Sequence, residues 1–157
     1  NPPAGDAPEL PALDAANYDC VSDLEALQSY IDAANEKGWV AFDTETTGLN
    51  DMTAELVGIS LCVEPGKACY VPLTHKAEGG DGLFGSDDLA QGQIPLDDAL
   101  KVLKPLLEDP AVLKIGQNMK YDTKIMSSYG IDVQPIDDTM LMSYAMNAGQ
   151  HSHGMDT

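Results

Sequence analysis

The sequence predicts an α/β domain on a mixed sheet, and two observations carry that expectation. Three strand-like segments follow one another between residues 39 and 73 with turns between them, the pattern of an antiparallel meander. From residue 95 onward, helical periodicity alternates with short apolar runs, the pattern of a sheet extended through helical connections. A length of 157 residues fits one domain and suffices for a buried core.

Residues 1–17, rich in Pro, Ala and Asp without periodicity, read as a linker or tail and suggest a piece of a longer polypeptide; residues 18–157 read as the domain. Tyr18–Val21 is a candidate edge strand. Ser22-Asp23-Leu24-Glu25 matches a capping box, with Ser22 as the cap of a helix whose stripe is Leu24, Leu27, Ile31 and Ala34 and whose stop is Lys37-Gly38. Strands are expected at Trp39–Thr44, Leu56–Val63 and Ala68–Leu73, the last two joined by a turn at Glu64-Pro65-Gly66. Thr74 to Gln93 is a long Gly- and Asp-rich loop, a length that usually marks function or mobility.

Pro95–Glu108 is helical by its spacing of Leu96, Leu100, Leu103 and Leu107, with Pro105 expected to kink the helix or bound it. A short strand at Val112–Gly116 precedes a helix from Asn118 to Tyr129, which Gly130 ends. Val133–Ile136 is extended, Asp138–Asn147 is helical, and Gly149–Thr157 reads as a loop.

Composition narrows the function. The basic residues number 8, all Lys, against 26 acidic ones, for a formal net charge of −18. Nucleic-acid binding normally draws on phosphate neutralisation by Lys and Arg, so this balance excludes a free-standing DNA-binding module. It leaves room for an active site that reaches phosphate through metal ions while another domain grips the strand. No apolar run reaches membrane-spanning length and no signal peptide is evident, so no membrane partner and a cytoplasmic location are expected. Cys20, Cys62 and Cys69 match neither a disulfide framework nor a zinc spacing, and read as reduced, buried thiols.

The most informative string is Phe42-Asp43-Thr44-Glu45-Thr46-Thr47-Gly48-Leu49-Asn50. Residues two apart in a strand face the same way, so Asp43 and Glu45 point side by side at the end of the apolar run Trp39–Phe42. Adjacent carboxylates repel unless a cation lies between them, and a hard divalent ion such as Mg²⁺ or Mn²⁺ suits oxygen ligands. A bare Asp-x-Glu is also compatible with a strand end carrying two solvated acids. The second string is Gly116-Gln117-Asn118-Met119-Lys120-Tyr121-Asp122, where Asn118 and Asp122 are spaced for one helix face near the sheet edge. Taken alone, Asn118 could equally be a helix cap and Asp122 a solvated acid.

The first string resembles the first motif of the DEDD family of 3′–5′ exonucleases. The second resembles the second motif of the proofreading domains of bacterial polymerase I enzymes in that family. The resemblance covers residues 18–157 and includes Leu106-Leu107-Glu108-Asp109 and Asp138-Thr139-Met140-Leu141. It implies a ribonuclease H-like mixed sheet flanked by helices, with the C-terminal part of such a domain absent from this chain. It also implies hydrolysis of terminal phosphodiesters at a DNA 3′ end, single-stranded or frayed, by two ions of Mg²⁺ or Mn²⁺. Asp43 would bridge both ions, Glu45 would bind the ion carrying the attacking water, and Asp122 would hold the second. Leu49 would wedge against the terminal bases, and Asn118 would contact substrate. Thr44, Gln117 and Tyr121 are further substrate-binding candidates, Tyr121 being equally compatible with the core. A covalently attached polymerase domain and a monomeric state are implied as well.

The family's third motif, Tyr-x-x-x-Asp, supplies the fourth carboxylate, and this sequence holds no instance of it: Tyr18, Tyr129 and Tyr144 begin spacings that end at Ser22, Val133 and Ala148. His151 and Asp156 have the His-x-x-x-x-Asp spacing of another DEDD branch, where His is a general base. The local sequence around them fits a loop or helix-cap role better. The expected activity of the fragment is therefore impaired. The alternative is a non-catalytic, vestigial module with a structural or DNA-guiding role, against which the retained Asp43, Glu45 and Asp122 argue.

Overall fold

The computed structural model describes residues 17–77, 89–149 and 152–154. The meander forms the middle of one sheet. Strands β2 (Trp39–Thr46), β3 (Leu56–Glu64) and β4 (Lys67–Pro72) pair antiparallel in sequence, and β1 (Asn17–Cys20) adds to the edge of β4 in parallel. On the other side, β5 (Leu113–Gly116) runs parallel to β2 and β6 (Ile136–Asp138) parallel to β5. The sheet order is β1-β4-β3-β2-β5-β6. The linker expected over residues 1–17 lies outside the described residues except for Asn17, which opens β1.

The pleat separates two faces. Val40 and Phe42 on β2, Ile59, Leu61 and Val63 on β3, and Cys69 and Val71 on β4 are all buried. Helix α1 (Leu24–Lys37) covers this face of β2 and β3, with α2 (Leu96–Glu108) beside it. The alternate residues Ala41, Asp43, Ser60, Cys62, Ala68 and Tyr70 line the opposite face and are only half-buried. That open face carries the site.

Two local expectations are corrected, on the cap of α1 and on the cysteines. The cap of α1 is Asp23, not Ser22: Asp23 is extended, and its carboxylate accepts the Ala26 N–H at 2.9 Å. The helix therefore starts one residue later, Leu24 lies exposed, and Tyr30 joins Leu27, Ile31 and Ala34 on the buried stripe. Pro105 lies inside α2, three residues before its last residue Glu108, on the solvent side, where water can satisfy the carbonyl its ring deprives of a partner. Of the cysteines, all three are free but only Cys69 is buried; Cys62 is partly covered and Cys20 exposed.

Two buried charged groups hold the loops that feed the site. Lys114 on β5 is fully buried, and its ammonium donates to the carbonyl oxygens of Leu106, Asp109 and Val112 at 3.2, 2.9 and 2.7 Å. It closes the C-terminal end of α2 onto the sheet, although burial pushes its pKa down to about 8. Asp138, at the end of β6, accepts four backbone N–H groups. Its Oδ2 takes Met119 at 2.9 Å, and its Oδ1 takes Asn118, Met140 and Leu141 at 3.1, 2.9 and 3.3 Å. One carboxylate thus caps both α3 (Met119–Ser128) and α4 (Thr139–Asn147). Among the described residues no helix is long and apolar enough to cross a membrane.

Replacing Asp138 by Ala strips donors at two helix starts. The substitution is expected to destabilise the domain by about 2 kcal/mol or more, read as a lowered midpoint in urea denaturation.

Candidate active site

The site forms where β2 ends. Asp43 stands across from Ser60 and Glu45 across from Gly58, both acids on the open face, and the ladder shifts register between Glu45 and Thr46. Strand β2 extends to Thr46, two residues further than expected, so both acids lie inside regular strand geometry and their shared direction is enforced by the pleat.

Thr44, between them, faces the other way and is buried. Its backbone N–H and its hydroxyl both donate to Oδ1 of Asp122, at 2.9 and 2.6 Å. These two bonds bring a residue 78 positions away in sequence to the end of β2. Asp122 is buried on the inner side of α3, and Asp43 lies close enough to feel its charge.

The electrostatics follow from this crowding. The Asp43 carboxyl is pushed up to about 6, first by burial, then by the Asp122 charge and then by Glu45. Asp122 is also raised, by burial first, against the opposing effect of the Thr44 hydrogen bonds; Asp138 adds a smaller push in the same direction.

No three Asp, Glu, His or Cys side chains among the described residues converge tightly enough to enclose a metal position. Asp43, Glu45 and Asp122 still make a donor set of the right chemistry. They are hard oxygens whose repulsion a divalent cation relieves, and magnesium takes one or two carboxylates with water or substrate phosphate completing its shell. On the open face beside Asp43, a cavity of about 230 Å³ is lined by Ala41, Ser60, Cys62, Ile115 and Gln117.

The remaining candidate residues surround this centre. Leu49 projects into solvent, 98% exposed, from the loop after β2. That loop is tied at its base by paired contacts between Thr47 and Glu55, each at 3.0 Å. Tyr121 does two jobs at once. Its ring packs against the core, and its hydroxyl donates to the Gly48 carbonyl at 2.5 Å and meets the Thr46 hydroxyl at 2.6 Å. Lys124 adds an ion pair to Asp51 at 2.5 Å, so α3 grips the loop that displays Leu49 from two points.

Asn118 adopts a left-handed conformation, φ 58, just before α3, and its side chain makes no capping bond. The cap role open to it in the sequence belongs to Asp138 instead. Gln117 donates to the His153 carbonyl at 2.8 Å and accepts from the Thr139 hydroxyl at 2.5 Å. His151 and Asp156, the candidate alternative pair, lie outside the described residues. Asp138 was legible only as a helix start; that it also caps α3 is a consequence of β5 and β6 lying side by side.

A family model described as 3′–5′ exonuclease matches residues 18–157, and the chain belongs to that family. Its relatives include bacterial DNA polymerase I. The chain is 49% identical over 153 residues to that of Rhizobium leguminosarum, a match covering 92% of this chain and 15% of that protein. The fold is shared with Escherichia coli RNase D, an exoribonuclease involved in structured RNA processing, at a TM-score of 0.58 and 20% identity; the match covers 85% of this chain and 30% of that one. It is shared equally with Brucella melitensis NrnC with bound Mg²⁺, at a TM-score of 0.55 and 21% identity, over 88% of this chain and 55% of that one. Both likenesses establish the architecture expected from the sequence.

The raised Asp43 gives a signed prediction. Between pH 3.8 and about 6 the folded chain keeps a proton that the unfolded chain has released, so stability falls as pH rises through that window and stays lower above it. In a chelating buffer, Asp43→Asn is expected to remove that fall. It should leave the variant more stable than the parent at pH 7 by about 1 kcal/mol, a figure discounted for the half-exposed side chain. Thermal melts of both proteins at pH 4 and pH 7 check it.

Proposed function

We propose that this domain removes nucleotides from the 3′ end of DNA, single-stranded or frayed, as the proofreading nuclease of a longer bacterial DNA polymerase I, monomeric and joined covalently to a polymerase domain. The observation that carries the reading is the placing of Asp43 near both Glu45 and Asp122, with its carboxyl raised by burial and then by those two charges. A fold gains nothing in stability from holding a half-buried acid against two others, so the arrangement is explained by what it binds. The chain spans about 15% of its polymerase relative, which leaves room for a domain that grips the strand. Such a neighbour also resolves the net charge of −18, which is unsuited to phosphate binding by itself.

Asp43, Glu45 and Asp122 would hold two ions of Mg²⁺ or Mn²⁺, which, when bound, supply a nucleophilic water at neutral pH and offset charge at the departing 3′ oxygen. The chain's own residues supply the positioning. Thr44 locks Asp122 in place through both of its hydrogen bonds, so its expected role as a substrate contact gives way to holding the third acid. Leu49 offers the terminal bases an apolar wedge, and Tyr121 holds the Gly48 carbonyl behind it. Gln117 borders the open face where the last nucleotide would lie, and Asn118 follows it at the start of α3. Because three carboxylates that do not close around an ion leave its other ligands to water and phosphate, residues 1–157 alone should bind Mg²⁺ or Mn²⁺ weakly and turn over slowly.

The test is release of nucleoside monophosphates from 3′-labelled single-stranded DNA by the longest natural polypeptide containing this chain. Asp122→Asn is expected to lower the rate by about 100-fold or more. An unaffected rate would eliminate the proposed metal site. Leu49→Ala should slow degradation by about 10-fold while leaving thermal stability within about 0.5 kcal/mol, because the side chain contributes nothing to the core. Rapid degradation by residues 1–157 alone would show that no fourth acid is needed.

A further inference from the structure

The open face carries a second polar arrangement that the three acids do not account for. Tyr70 on β4 lies across from Ser60, but its ring leans diagonally over Gly58. A Cβ added at Gly58 would lie 2.0 Å from the Tyr70 hydroxyl and 2.3 Å from the ring carbon bearing it. The phenol therefore occupies the place of a side chain at position 58. Position 58 is the cross-strand partner of Glu45, and such partners hold their Cβ atoms roughly 5 Å apart. The absent side chain of Gly58 leaves room for the Tyr70 hydroxyl at the position facing Glu45 across the strands.

The hydroxyl is itself held. His75 Nε2 lies 2.7 Å from it, with the two rings edge to face at 5.7 Å. His75 is anchored in turn through its backbone. Its N–H donates to Gln93 Oε1 at 2.7 Å, and its carbonyl accepts from Gln93 Nε2 at 3.0 Å and from Ala90 N–H at 2.8 Å. The N–H groups of Leu73 and Thr74 both donate to the Val57 carbonyl, which carries the chain past the end of β4 and sets His75 next to the Tyr70 hydroxyl. When the imidazole carries its proton on Nε2 it donates to the phenol oxygen, and the phenol proton is left for Glu45. Consistent with this proximity, burial and then the Glu45 charge raise the Tyr70 pKa.

We infer that Tyr70 and His75 are positioning residues for Glu45: the phenol, aimed by the imidazole, donates to the carboxylate and fixes its orientation toward a divalent cation. The inference rests on the proposed nuclease function and deepens it. It gives the start of the 74–93 loop a role, since Gln93 at the far end of that loop anchors His75. Outer partners of metal-binding carboxylates and imidazoles commonly set affinity and rate without touching the reacting atoms.

The test measures kcat and KM on 3′-labelled single-stranded DNA, the Mn²⁺ concentration giving half-maximal Mn²⁺ binding by calorimetry, and the melting temperature, all in the longest natural polypeptide containing this chain. Tyr70→Phe, which keeps the ring over Gly58, is expected to lower kcat by roughly 10-fold or more and to raise the Mn²⁺ midpoint by a similar factor, with KM and melting temperature unchanged. His75→Phe should match it, the double variant should be no worse than either single one, and His75→Gln, which retains a donor, should recover most of the loss. Wild-type kcat and Mn²⁺ midpoint in Tyr70→Phe, alongside an inactive Glu45→Gln, would overturn the inference alone. A lowered kcat with an unchanged Mn²⁺ midpoint would also overturn it. Wild-type activity in Glu45→Gln would bring down the nuclease reading beneath it.

Discussion

Asp43 stands near the end of β2 where it feels the charges of both Glu45 and Asp122, and the structure depends on the restraints that hold these acids in place. The main restraint is the pair of hydrogen bonds from Thr44 to Oδ1 of Asp122. They bind the central strand to α3 at a buried position, where a hydrogen bond to a charged acceptor is worth more than a neutral one. They also divide the strand's labour. Residues 43 and 45 face the open side while residue 44 faces inward, so alternate positions of one tripeptide present two acids and fix a third.

Everything near that junction is organised to keep it rigid. Asp138 caps α3 from the far side and sets its angle. Tyr121, one position before Asp122, grips the Gly48 carbonyl and so couples the loop bearing Leu49 to the same helix. Tyr70 lies over Gly58, the cross-strand partner of Glu45. Burial and then its acidic neighbours raise the proton affinity of Asp43 and carry a stability cost, while the rest of the sheet, with Phe42, Ile59, Leu61 and Val71 fully packed, supplies the margin. Stability sits on one face of the sheet and chemistry on the other.

Membership of the 3′–5′ exonuclease family gives this division its meaning. The acidic balance of the chain is awkward for a DNA-binding protein, and under the proposed function contact with phosphate would run through cations at one edge. The open face beside Asp43 is bordered by Gln117, which His153 and Thr139 hold in place.

Much of this was legible in the sequence. Asp43 and Glu45 could be placed side by side because a strand repeats every two residues, and the meander and the later helices followed from periodicity and turn residues. These are local rules, and they hold wherever the chain's own geometry decides. Local rules failed where competition between neighbours decided, as where Asp23 took the cap from Ser22. What only the tertiary structure decided was which groups meet. Thr44 and Asp122 are 78 residues apart, and the Tyr70 ring comes over Gly58, opposite Glu45, only through the register of β2, β3 and β4. Spacing along a chain specifies the direction of a side chain within its own element; its partner across elements is set by strand register and helix packing, which the whole core determines together.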